Sequence, residues 1–170
     1  LVFKLYSPNN LDKLQNEYTA YLKIGNHPRF TQCYFKGKRY LVLKYERGPT
    51  LYECLEQGIV IPKQVIQDVE DARNFARSVG LFPTDIHLKN VILQNGRAKL
   101  IDVSKYIYPN EDKRWEHLVE GYKRFYWLIR GKKIPIWLLE LVKKTYLRQV
   151  SEKFSVEDFG KQFMQMYKNN

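Results

Sequence analysis

The apolar positions of the chain change period several times, and each change marks an element. Val2-Phe3-Lys4-Leu5 has the composition of a strand end, closed by the turn-forming Ser7-Pro8-Asn9-Asn10. Leu11, Leu14, Tyr18, Tyr21 and Leu22 recur at helical spacing up to Gly25, and Glu17 lies on the inward flank shared by Leu14 and Tyr21. Asn26-His27-Pro28-Arg29 predicts a turn with an exposed histidine. Residues 30–35 and 39–45, separated by Gly37-Lys38, predict an antiparallel hairpin. A short helix is expected over 51–57. Ile61-Pro62 opens a long one, with Val65, Ile66, Val69, Ala72, Phe75, Ala76 and Val79 as its buried stripe and Gly80 as its stop. Asp68, Glu70, Asp71, Arg73 and Arg77 are assigned to its solvated face.

A second hairpin follows: Val91-Ile92-Leu93, the two-residue turn Asn95-Gly96, and Ala98-Lys99-Leu100-Ile101. Helical spacing resumes by about Glu111, with Leu118, Tyr122, Phe125, Tyr126 and Ile129 as a core stripe ending at Arg130-Gly131. Residues 136–150 form a further amphipathic helix, and Ser155-Val156-Glu157-Asp158 opens the last with a weak capping box. Trp115, Trp127 and Trp137 are expected in the core.

Composition narrows the class. A chain of 170 residues suits one domain, or two small lobes sharing a cleft. With 44% hydrophobic and 28% charged residues it reads as a globular protein. No apolar run approaches the roughly 20 residues of a membrane span, and the first residues lack the features of a signal peptide. Leu1 in place of Met suits a fragment or an ordered remainder. Cys33 and Cys54 alone argue for reduced thiols in the cytoplasm rather than a disulfide framework. The net charge of +11 favours anionic partners: a nucleotide, nucleic acid, an acidic protein or a membrane surface. From Lys113 onward there are 13 Lys and Arg against 6 Asp and Glu, so the C-terminal third supplies most of the excess. There the charges alternate with aromatic and apolar residues, as on solvated helix faces.

The candidate chemistry lies around the second hairpin. Asp85 and Asn90 would sit on the loop entering it, and Asp102 at its exit. A hairpin brings its outer ends together, so these three oxygen-bearing side chains can converge. One or two carboxylates with phosphate oxygens and water are what Mg²⁺ binds.

This segment, Pro83-Thr84-Asp85-Ile86-His87-Leu88-Lys89-Asn90 with Asp102 beyond, resembles the catalytic loop and metal-binding segment of the protein-kinase-like superfamily, H-R-D-x-x-x-x-N followed by D-F-G. The resemblance implies an α+β, two-lobe fold: a small, truncated antiparallel-sheet N-lobe over 1–47, and a mainly helical C-lobe over 48–170. It implies ATP and Mg²⁺ as cofactors, with Asp85 orienting or deprotonating an acceptor hydroxyl and Asn90 and Asp102 holding the metal. Lys4 resembles the lysine that contacts the α- and β-phosphates, and Glu17 the helix glutamate that pairs with it. Leu43 would guard the back of the adenine pocket, with Val2, Ile92 and Ile101 as further nucleotide contacts. The backbone of Lys44, Tyr45 and Glu46 would bond the adenine edge.

The departures from the pattern are informative. Pro83-Thr84 stand for His-Arg and Val103-Ser104 for Phe-Gly, and His87 stands where serine/threonine kinases usually carry Lys. The D-x-H-x-x-N form is closer to aminoglycoside- and choline-kinase-like enzymes. The short stretch 103–110, with no A-P-E-like sequence after it, resembles reduced bacterial and archaeal kinases, including RIO-type and tRNA-modification-complex kinases. The family's glycine-rich loop would lie before Leu1: either it falls outside this sequence or the nucleotide is covered less well. Asp112 is expected either to tie down the catalytic-loop backbone or to cap the next helix. The resemblance implies first a protein serine/threonine kinase; a kinase acting on a small-molecule hydroxyl and a pseudokinase or basic binding module are the alternatives.

Overall fold

The computed structural model describes residues 1–110, 112–150 and 154–168. Its elements are β1 (Val2–Leu5), α1 (Leu11–Ile24), β2 (Cys33–Lys36), β3 (Tyr40–Leu43), α2 (Leu51–Gln57), α3 (Gln64–Ser78), β4 (Val91–Gln94), β5 (Arg97–Leu100), α4 (Arg114–Ile129), α5 (Ile136–Gln149) and α6 (Val156–Lys168). Two compact units result: Leu1–Leu51 with Ile61–Asp112, and Tyr52–Val60 with Lys113–Asn170.

In the first unit, β3 is the central strand of an antiparallel sheet ordered β1-β3-β2. Leu41, Val42 and Leu43 are all buried, as a strand with neighbours on both edges requires. Each is worth about 1.5–3 kcal/mol relative to exposure. Lys4 pairs with Leu41 and Val2 with Leu43. Helix α1 buries Leu14, Glu17, Ala20, Tyr21 and Ile24, a stripe at steps of three and four. It stops at Gly25, whose φ of +59° suits a residue without Cβ and whose N–H bonds back to Tyr21 O. Leu22, expected in that stripe, is exposed.

The second hairpin forms with Val91 opposite Leu100 and Gln94 opposite Arg97. It is joined to the chain leaving β3 by Leu93 N–H to Pro49 O (2.8 Å) and a bridge between Thr50 and Ile92. Gly48 makes that approach possible: a Cβ there would lie 2.3 Å from Leu93 O.

Helix α3 starts at Gln64, two residues after the proline expected to open it; Pro62 instead accepts from Val65 N–H in the preceding turn. The larger correction concerns its face. Asp68 and Arg73, assigned to solvent, are buried. Asp68 accepts from Arg97 Nη2 (2.7 Å) and Nε (2.9 Å), Ala98 N–H (2.9 Å) and Gln64 Nε2 (3.1 Å), with Arg29 Nη2 at 3.3 Å. This carboxylate fastens α3 to β5 and to the turn before β2. In that turn His27 is half-buried rather than exposed, stacked on Phe75 at 4.1 Å.

The second unit packs Ile134, Leu138, Leu139 and Phe163 with Tyr52 and Leu55 of α2. Tyr52 donates to Glu140 (2.7 Å), and Ser155 Oγ caps α6 by accepting from Asp158 N–H (3.2 Å). Trp115 is buried as expected, whereas Trp127 and Trp137 are 71% and 55% exposed. Each of the latter adjoins a buried residue, Tyr126 and Leu138. A step of one residue turns a helical side chain by about 100°, off the buried face. Among the described residues, no helix is long and apolar enough to cross a membrane.

Candidate nucleotide and phosphoryl-transfer site

Lys4 is the centre of the first group. Strand alternation points Lys4 and Tyr6 to one side, and both side chains reach Glu17 on the buried face of α1. Lys4 Nζ lies 2.9 Å from Glu17 Oε1 and 3.1 Å from Asp102 Oδ2, and the Tyr6 hydroxyl donates to Glu17 Oε2. Burial would lower the lysine pKa, but the two carboxylates outweigh it and the ammonium is held above its ordinary range. Burial pushes Glu17 up, against the opposing pull of Lys4. Asp102 moves the other way: burial opposes its charge, but Lys4 and the Ser104 N–H, 3.0 Å from Oδ1, hold its carboxyl below the usual range.

The loop holding Asp85 and Asn90 is fixed by its own polar groups. Asp85 has φ +61°, unusual for a residue with a side chain, although Asp tolerates this region better than most. Its N–H donates to Asp112 Oδ2 (2.6 Å) and its C=O accepts from Asn90 Nδ2 (3.1 Å). Of the two roles open to Asp112, the structure has the tie to the loop; the residue flanking α4 is Lys113. Glu111 lies outside the described residues. Asn90 C=O accepts from Ile101 N–H (3.1 Å), which brings Asn90 beside the residue preceding Asp102, while Ile101 C=O accepts from Tyr21 OH (3.2 Å).

Bonds through backbone and side chain therefore connect residues 4, 17, 102, 90 and 85 within one unit. The donor set fits Mg²⁺. Asn90 spends a side-chain N–H on Asp85 and its amide oxygen has no hydrogen-bond partner among the described residues, while Asp102 has lone pairs left on both oxygens. Among the described residues, no three His, Cys, Asp or Glu side chains gather at metal-binding spacing. One carboxylate and one amide suit a cation that keeps its waters and takes phosphate oxygens.

The other expected nucleotide contacts are distributed as follows. Leu43 and Ile92 are buried, Ile101 is half-buried and Val2 is more exposed. Lys44 already donates its N–H to Gln32 O (2.8 Å) and accepts at its C=O from Thr31 Oγ1 (3.0 Å). Among the described residues Tyr45 and Glu46 make no backbone–backbone hydrogen bond, so they retain an open polar edge after β3. The Glu46 side chain is buried, with Lys99 Nζ at 3.7 Å.

Three residues at the site escaped the sequence reading. Tyr6 shares the face of Lys4 and was accessible from strand alternation. Thr84 is buried and donates to Lys105 O (3.2 Å), and Lys105 Nζ sits 2.7 Å from Asp85 Oδ2. No sequence interval announces that last contact, which needs the loop and the 103–106 turn side by side.

No protein-family model matches the chain. It is 32% identical over 155 residues to the Bacillus subtilis (strain 168) protein named "Putative serine/threonine-protein kinase YrzF", covering 90% of this chain and 72% of that one. The solved structure of the Rad53 kinase domain and SCD2 superposes with a TM-score of 0.51 at 17% identity, over 60% of this chain. That match spans 42% of the solved chain and is a likeness of fold. On the extent of the sequence match and this α+β fold, the chain belongs to the protein-kinase-like superfamily.

Proposed function

We propose that the chain is an ATP- and Mg²⁺-dependent phosphotransferase that moves the γ-phosphoryl group to a serine or threonine hydroxyl of a protein. The observation that carries this reading is the Lys4 ammonium shared between Glu17 and Asp102, with Asn90 and Asp85 on the adjoining loop. In it, residues 1–47 are the N-lobe and 48–170 the C-lobe. Lys4 contacts the α- and β-phosphates, oriented by the buried Glu17. Asn90 and Asp102 hold Mg²⁺, which supplies positive charge beside the transferring group. Asp85 accepts a hydrogen bond from the acceptor hydroxyl and aligns it for attack, and Tyr45 and Glu46 offer their backbone to the base.

Such chemistry is mainly positioning and electrostatics, for which a dry, fixed array is better suited than water. The Asp85 backbone is pinned on both its N–H and its C=O, so the carboxylate enters the reaction with little reorganisation. The free cysteines fit a reducing compartment, and we assign the protein to the cytoplasm.

The test is transfer from γ-labelled ATP with Mg²⁺ to a protein extract, and in parallel to aminoglycosides and amino alcohols. The reading expects label in protein, lost in Asp85→Ala although that variant still binds nucleotide. Label in the small molecules alone would move the acceptor class. Undiminished transfer by Asp85→Ala would remove this residue from the mechanism.

A further inference from the structure

We propose that Lys105 is a phosphoryl-binding residue: a cation supplied by the turn after Asp102 that contacts the γ-phosphate beside Asp85. The assignment rests on the phosphotransferase reading and adds to it a residue outside the loop and hairpin motif.

Two residues after Asp85, where serine/threonine kinases usually carry Lys, this chain has His87. Its Nε2 is 4.0 Å from Asp85 Oδ1, at the limit of an ion pair, and its Nδ1 accepts from Lys89 N–H. A cation at shorter range comes from the turn after Asp102. Lys105 Nζ is 2.7 Å from Asp85 Oδ2.

The backbone beneath that side chain is locked. Lys105 C=O accepts from Thr84 Oγ1 (3.2 Å), Tyr106 N–H donates to Val103 O (3.1 Å), and Tyr106 C=O accepts from Phe82 N–H (2.8 Å). The neighbouring Tyr106 ring is fully buried, edge-on to Phe30. The ammonium is therefore carried on a hydrogen-bonded turn, while the side chain itself is 57% exposed. A long cation so mounted next to an acceptor-aligning carboxylate meets incoming negative charge. As the hydroxyl takes up a hydrogen bond to Asp85, the three donors of Lys105 can be shared between that carboxylate and an equatorial phosphoryl oxygen. An ordinary surface ion pair would have little consequence when removed. The location of this one predicts a selective effect on the third phosphate.

The test compares binding of Mg²⁺–AMP-PNP and Mg²⁺–ADP, which differ at the γ-position, to the wild type, Lys105→Met and Lys105→Arg. The ratio of the two affinities should fall about tenfold in Lys105→Met, with ADP affinity unchanged and Lys105→Arg near wild type. An unchanged ratio, or equal loss of both nucleotides, would overturn the assignment to Lys105 while leaving the phosphotransferase reading standing. A wild type that binds neither nucleotide would overturn both.

Discussion

Glu17 and Asp68 are both fully buried carboxylates on the inward face of a helix, yet their surroundings differ in kind. Asp68 is saturated: two arginines, a backbone N–H and a glutamine amide converge on it. Glu17 has one cation among the described residues, and that cation is shared with a second acid, Asp102, at a partly exposed edge. Saturation suits a fastener, because no charge is left to attract anything else. A shared ammonium beside a partly exposed acid suits a site, since polyphosphate or a metal can take up what the protein leaves unfilled. The two clusters should therefore separate under mutation, one governing turnover and the other stability.

The largest effect is expected at the shared ammonium. Lys4→Met should lower phosphoryl transfer by about 10²–10³-fold. Folding should lose only about 1 kcal/mol, because Glu17, already pushed up by burial, can take up a proton. Steady-state assays beside urea unfolding check both halves. Asp68→Ala should do the reverse. It strands a backbone N–H and two arginines, and a loss of about 3 kcal/mol in unfolding free energy is expected by urea titration, the low end for a buried pair because the Arg97 side chain is 49% exposed and can turn to water. The folded fraction should bind nucleotide as the wild type does. Glu17→Gln sharpens the contrast: it keeps the shape and the contact with Tyr6 but releases Lys4 toward Asp102, and a roughly tenfold loss of turnover with little change in stability is expected.

The smallest effect is in pH dependence beside the fastener. Burial, with Arg29 and Lys99 nearby, holds His27 below its ordinary 6.5. The folded state therefore prefers the neutral ring, and the unfolded chain binds more protons between the two values. Stability contributed by His27 is present above 6.5 and lost as pH falls through the depressed value. His27→Gln should flatten that part of a stability–pH curve, measured by thermal melts at fixed ionic strength.

Much of the site could be read from the chain because it is local. Asp85, Asn90 and Asp102 bracket one hairpin, and the turn Asn95-Gly96 sets its register. Asp112 came into reach for the same reason. Asp68 was misread because its charge was weighed above its place: it stands three residues after Val65 and one before Val69, within the buried stripe. Lys105 had no local signal, since its contact depends on two turns meeting. The exposed Trp127 and Trp137 show the converse error, in which apolar character was weighed above helical phase.

The most direct test of the central claim is nucleotide binding with and without Mg²⁺, read by fluorescence or calorimetry for the wild type, Asp102→Asn and Asp68→Ala. The account predicts that Mg²⁺ strengthens ATP binding in the wild type and in folded Asp68→Ala, and that Asp102→Asn loses this dependence. Mg²⁺-independent binding by the wild type, or an Asp102→Asn variant that responds to Mg²⁺ as the wild type does, would contradict it.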